Sequence, residues 1–308
     1  MSGGACPDAE NWLPKIMNDH LKARVAILLV NGFDRRDQWG QYKETEALDY
    51  PWIDLCLRQI ERHSTGWDYE VFVFDNSHLK SHRALTKGYR YVRIWPARWF
   101  SSLGRLANRI PVLHVGRLTE LAHPKALDYL ASRVSSDFDY IVTLDTDSFP
   151  VRDDWLDVLI GACEDGAALS GVYRNEMEPT IHPFIHVSGL CVRRRDLRAL
   201  DVSFSRKMGQ DVGQNITDEF RRLGRTIGPL KRSNNVNYHF LVGGIYGDVI
   251  YHHGAGSRKA KFWISTDLDT DEQISIILRD AAFHDLDHLI AVLRGEVTND
   301  LNLTVCAE

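Results

Sequence analysis

Two carboxylates one residue apart, Asp145 and Asp147, close the apolar run Tyr140-Ile141-Val142-Thr143-Leu144, and Pro150 follows. An apolar run of this length bounded by polar and turn residues reads as a buried strand. In an open α/β sheet, the carboxyl end of such a strand is where ligands bind. Two acceptor-only side chains held close repel each other unless positive charge lies between them. A hard divalent cation carrying substrate phosphates supplies that charge. The Asp-x-Asp pattern is cheap: it occurs five times, also at Asp137/Asp139, Asp267/Asp269, Asp269/Asp271 and Asp285/Asp287. Those four lack a preceding apolar strand and read as solvated surface, so context singles out Asp145 and Asp147.

A second stretch with chemical capacity is YHHGAGSRKAKF, residues 251–262. Two histidines close a β segment, and Gly254 and Gly256 frame a loop carrying Ser257, Arg258, Lys259 and Lys261. Glycine-rich backbone can turn N–H groups onto a diphosphate, and the cations add charge. One histidine can complete a metal sphere. Strand alternation buries one of the pair, and His253 is preferred to His252, although alternation does not settle the parity. The competing reading is a basic surface loop after a strand. His284 and His288 lie four apart on an expected helix but lack the Glu of H-E-x-x-H, so an exposed helical face is the reading there.

The elements that must position these groups follow from periodicity. RVAILLVNG (24–32) is a continuous apolar strand stopped at Asn31-Gly32. Pro51 is placed to open a helix whose Ile53, Cys56, Leu57 and Ile60 share one face. YEVFVF (69–74) is a second strand running into Asp75-Asn76-Ser77, and strand, helix, strand over this span signals a parallel sheet. YRYVRIW (89–95) reads as a further strand and 117–135 as a helix before the Asp145 strand. Asp153 or Asp154 can cap the helix carrying Trp155 and Leu159. Strands are expected at 167–173 and 185–193, a helix running to Gly224, short β segments near 238–252, and a largely helical final stretch. The fold class is therefore α/β with a mostly parallel central sheet. Neither early strand runs into G-x-G-x-x-G, so the dinucleotide-binding version lacks support.

Composition agrees with a soluble globular chain: 308 residues, 44% hydrophobic and 26% charged. A net charge of −5 without a concentrated Lys/Arg run argues against nucleic acid as a partner. No apolar stretch approaches the ~20 residues that cross a bilayer. MSGGACPDAENW lacks the basic and apolar regions of a signal peptide. Five scattered cysteines without metal spacing suit a reducing compartment, so the cytoplasm is the expected location.

Four segments in order resemble family 2 glycosyltransferases of the A-type fold. FVFDNS is similar to that family's V-D-N-x-S segment, VTLDTDSFPVRDDWLDVL to its DxD…P…WL block, FIHVSGLCVRRRDL to the segment under the acceptor pocket, and GQDVGQNITDEFRRLGRTIG to its acidic helix. The likeness covers about residues 24–255. It implies a single Rossmann-like A-type domain over 24–265, with a donor half to about 150, an acceptor half beyond, a lead-in at 1–23 and a helical extension at 266–308.

The resemblance further implies an inverting, metal-dependent transfer of a sugar from a nucleoside-diphosphate donor, UDP by family habit, to a hydroxyl acceptor. Mn²⁺ or Mg²⁺ suits the oxygen ligands. Asp145 would lie by the ribose or the metal, Asp147 would ligate the metal, and His253 would complete the sphere. Asp75 would accept from a base N–H, with an Asx turn as the plainer role, and Asn31 would line the same pocket or only turn the chain. Lys125 would meet the donor or stand solvated, and Arg258 and Lys259 would reach the diphosphate. Asp211 would be the general base or cap the helix ending at Gly224, with Asp218 and Glu219 as substitutes. His182 and His186 flank Pro183 and suit an acceptor rim or a plain loop. Trp155, Trp263 and Phe184 could stack on sugars or fill the core. Two other functions remain in view: a sugar-phosphate nucleotidyltransferase, which would want a glycine-rich basic loop where VNGFDRRDQ has one glycine, and a non-catalytic nucleotide-sugar or carbohydrate-binding module.

Overall fold

A computed structural model describes residues 23–31, 50–75, 92–96, 123–200, 202–205, 210–254, 256, 268–298, 300, 301 and 303. A seven-stranded sheet organises it. Strands β1 (Arg24–Asn31), β2 (Asp68–Asp75), β3 (Val92–Pro96), β4 (Tyr140–Leu144), β6 (Leu169–Arg174), β7 (Phe184–Arg193) and β8 (Ile227–Leu230) lie in the order β3-β2-β1-β4-β7-β6-β8. β1, β2, β3 and β4 pair in parallel, as do β6 and β8, while β7 runs antiparallel to both β4 and β6. The expected α/β class with a mostly parallel sheet is the observed one. A second, antiparallel sheet joins β5 (Ser148–Pro150), β10 (Ile250–His252) and β9 (Gly244–Tyr246).

Alternation along β1 divides the core. Val25, Ile27 and Leu29 face one side and Ala26, Leu28 and Val30 the other, which explains an unbroken apolar run where a one-sided sheet would alternate. The first side packs on α1 (Trp52–His63) and α3 (Trp155–Glu164) and on the small sheet. The second packs on α2 (His123–Arg133), α4 (Arg194–Ala199) and α5 (Gln214–Arg222). The stripe Ile53, Cys56, Leu57, Ile60 is buried as read from its spacing. α6 (Leu268–His284) and α7 (Leu286–Leu293) join the first core through Leu278, Leu289, Val292 and Leu293. Among the described residues no helix is long and apolar enough to cross a membrane.

Local departures have simple causes. Asp154 holds the N-cap position of α3, but its carboxylate accepts from Arg152 and makes no cap bond. His284 and His288 do not share a helix: the chain breaks at Asp285, whose side chain caps α7 by accepting the His288 N–H at 3.0 Å. β5 is too short to be seen as a strand in sequence, yet it continues DSFP into the small sheet opposite His252.

Candidate metal and donor site

The parallel strands β1, β2 and β4 end together, and the antiparallel β7 begins at that same edge. Asn31 and Asp75 are register partners at the ends of β1 and β2. Each is 2% exposed, and Asn31 Nδ2 donates to Asp75 Oδ1 at 3.1 Å. One strand further on, β4 delivers Asp145.

Asp145 is the centre of the site. Its Oδ1 lies 3.2 Å from His123 Nε2, at the start of α2. Its Oδ2 faces two imidazoles, 3.9 Å from His186 Nδ1 and 4.0 Å from His252 Nε2. His186 comes from β7 and His252 from the end of β10, and their rings stack with centroids 5.6 Å apart. One ligating atom from each of Asp145, His186 and His252 lies within 4.8 Å of the others. Ligands around bonds of about 2.1 Å are separated by about 3–4.3 Å, so an ion fits among them with small adjustments.

The charge states suit ligation. Burial opposes ionisation of Asp145, but the His123 hydrogen bond and the nearby imidazoles outweigh it and hold the carboxyl below the usual range. Burial pushes both His186 and His252 down, so both rings are neutral with lone pairs. His123 goes the other way: burial lowers it, but its bond to Asp145 raises it overall. His252 Nδ1 is buried with no hydrogen-bond partner among the described residues. Asp145 Oδ2 and His252 Nε2 are open to an ion. His186 Nδ1 accepts the Ser188 N–H at 3.1 Å and must release it to join them. A carboxylate with two imidazoles is a transition-metal donor set; Mg²⁺ prefers all-oxygen shells.

The structure places other expected ligands elsewhere. His253, preferred in sequence, has Nδ1 at 3.1 Å from Tyr251 Oη and Nε2 at 3.1 Å from Ser275 Oγ, in a fully buried position against Trp52. The placement differs from the sequence expectation, and the reason is parity: β10 pairs His252 with Ser148, turning His252 to the carboxyl edge and His253 into the core. Asp147 is also outside the three-residue cluster. A turn closed by Ser148 N–H to Asp145 C=O at 3.0 Å separates the two carboxylates, and Asp147 Oδ2 accepts the Gly256 N–H at 2.8 Å. Lys125 is exposed on α2. Arg258, Lys259 and Trp263 lie outside the described residues. Trp155 and Phe184 are fully buried core residues.

Asp211 stands across His186 from the cluster, with Oδ2 3.9 Å from His186 Nε2. It does not cap α5, whose N-cap is Gly213; instead Asp211 Oδ1 accepts the Val212 N–H at 2.8 Å, leaving Oδ2 toward His186. The substitutes are engaged elsewhere, Asp218 with Gln210 and Glu219 with Arg222. Sequence reasoning left His186 undecided and did not find His123. The only sequence signal for them was polar residues at the ends of apolar runs.

No family model matches the chain, and no curated protein matches it. Among solved structures it is similar to S. aureus TarS residues 1–349 in complex with UDP-GlcNAc, at 10% identity and TM-score 0.44, over 67% of this chain and 56% of that one. It is similar to glucosyl-3-phosphoglycerate synthase from Mycobacterium tuberculosis in complex with Mn²⁺, UDP and glucosyl-3-phosphoglycerate, at 14% identity and TM-score 0.42, over 68% and 70% of the two chains. It is also similar to a nucleotidyl transferase from Methanothermobacter thermautotroptrophicus, at 14% identity and TM-score 0.41, over 68% and 87%.

Proposed function

We propose that this chain is a metal-dependent, inverting glycosyltransferase of the A-type, family 2 kind. It moves a sugar from a nucleoside-diphosphate donor, UDP-linked by preference, to the hydroxyl of a soluble acceptor. The transferase domain is residues 24–265, extended by the helices after it. One observation carries the reading: Asp145, His186 and His252 converge at the carboxyl edge of the sheet with Asp211 beside them. The two imidazoles favour Mn²⁺ over Mg²⁺. A bound divalent ion offsets the charge that grows on a departing nucleoside diphosphate.

The chain's own residues supply the rest. His123 fixes the Asp145 carboxylate through Oδ1, so that Oδ2 is presented to the cluster. Asn31 and Asp75, at adjacent strand ends, form the floor under the nucleobase. Asp211 Oδ2 receives the acceptor's hydroxyl proton as it attacks, a contribution of about 10²–10⁴ in rate. Calorimetry with UDP, with and without Mn²⁺, tests the donor site in the parent and in Asp145→Asn and His252→Asn. Metal-dependent binding that both variants lose is the expected result. UDP affinity indifferent to chelator and to both substitutions would sink the proposal. Incubation with UDP-sugars should release UDP; pyrophosphate release from a nucleoside triphosphate and a sugar phosphate would instead establish nucleotidyl transfer.

A further inference from the structure

Arg174, the last residue of β6, pairs in register with Phe184, two residues before His186 on β7. Its side chain is only 8% exposed. Its Nε donates to Glu176 Oε2 at 3.1 Å, and the other Glu176 oxygen accepts the buried Tyr246 hydroxyl at 2.5 Å. Glu176 is thus pinned from one side and occupies one edge of the guanidinium. A guanidinium carries five N–H donors, and the four on Nη1 and Nη2 have no hydrogen-bond partner among the described residues. A mere counter-charge for Glu176 does not need them, and a nearly buried guanidinium with free donors gains from a partner of opposite charge. The position is not remote: the charge of Arg174 opposes protonation of both His186 and His252, and Asp211 is close enough to favour the charged guanidinium.

We infer that Arg174 is the anion-recognition residue of this site, its Nη fork receiving a carboxylate or phosphate group of a ligand bound between the metal cluster and Asp211. The planar fork matches two oxygens at once, which a lysine ammonium does not. Such a group can come from the donor diphosphate or from an acidic acceptor. The inference rests on the transferase reading for its location, but its test needs no turnover.

The test uses the full chain with Mn²⁺ and three probes: UDP alone, then inorganic phosphate or acetate added to the UDP-saturated protein, each also titrated without UDP. Arg174→Lys keeps the charge and removes the fork. It should weaken one probe by at least about tenfold, the equivalent of one charge-assisted hydrogen bond. Loss in the UDP arm identifies the donor diphosphate as the anion; loss only for phosphate or acetate with UDP in place identifies an acidic acceptor. Glu176→Gln, which removes the competing carboxylate, should tighten the same probe and serves if the lysine variant does not fold. Affinities within about twofold of the parent in Arg174→Lys, no anion binding by the parent, or weaker binding in Glu176→Gln would overturn the inference. Phosphate binding that depends on Arg174 without any UDP binding would instead retain Arg174 and remove the transferase reading.

Discussion

A paired glycine experiment tests the packing that sets the site. Gly171 lies on β6 with φ +139°, three residues before Arg174 and against β7 just after His186. A Cβ there would fall 1.8 Å from the Gly189 carbonyl oxygen and 2.8 Å from its carbon. Both are backbone, so no rotamer change relieves the clash, and β6 and β7 must part by roughly 1.5 Å. The cost of Gly171→Ala is the sum of about 1–3 kcal/mol for a backbone region hostile to side chains, about 1–3 for overpacking, and about 1 for each ladder bond broken near Leu190. About 4–6 kcal/mol follows, a large share of a typical domain's 5–15. Gly161, inside α3, has nothing within 4 Å of its would-be Cβ. Gly161→Ala should therefore stabilise by about 0.5–1 kcal/mol through helix propensity. Urea unfolding of both variants reads the two signs directly. Mn²⁺ affinity should fall only in the Gly171 variant, because His186 and Arg174 move with their strands. A Gly171→Ala protein within about 1 kcal/mol of the parent would refute the described β6–β7 contact.

Three further outcomes follow from the site and its supports. Asp211→Asn still accepts the Val212 N–H and should lose about 10²-fold or more in kcat, with donor Kd and melting temperature little changed; near-parental turnover would pass the role to Asp218 or Glu219. His123→Gln should weaken Mn²⁺ binding by about 10–100-fold in calorimetry, since it frees the Asp145 carboxylate to rotate; unchanged affinity would deny His123 an orienting role. Away from the site, His239 Nδ1 accepts the N–H groups of Leu241 and Val242 at 2.9 and 3.1 Å, and burial lowers its proton affinity despite the bond to Asp271. The unfolded chain therefore binds a proton more readily, so this histidine's contribution is complete above an ordinary histidine pKa and declines as the pH falls below it. Unfolding free energies at pH 7.5 and 5.5 should differ more in the parent than in His239→Asn; equal slopes would contradict that.

Much of the frame was legible because it rests on local periodicity. The stretches at 25–30, 71–74 and 140–144 are almost wholly apolar because both faces of the sheet are covered, and each runs into a polar residue at the carboxyl edge. That placed Asn31, Asp75 and Asp145 on one line without coordinates. Sequence could not assign His252 over His253, because side-chain parity on a three-residue strand depends on which partner it pairs with, and that partner, Ser148, is about a hundred positions away. It could not tell Asp147 from Asp145, since a single turn between them sends one carboxylate to the imidazoles and the other to Gly256. Nor could it gather His123, Arg174 and His186, which come from a helix start, a strand end and the start of an antiparallel strand. Those elements meet only because β7 reverses direction in an otherwise parallel sheet and brings its first residues to the edge where the others finish. Local pattern determined which strands and carboxylates exist; long-range pairing decided which side chains face one another, and the chemistry follows from that.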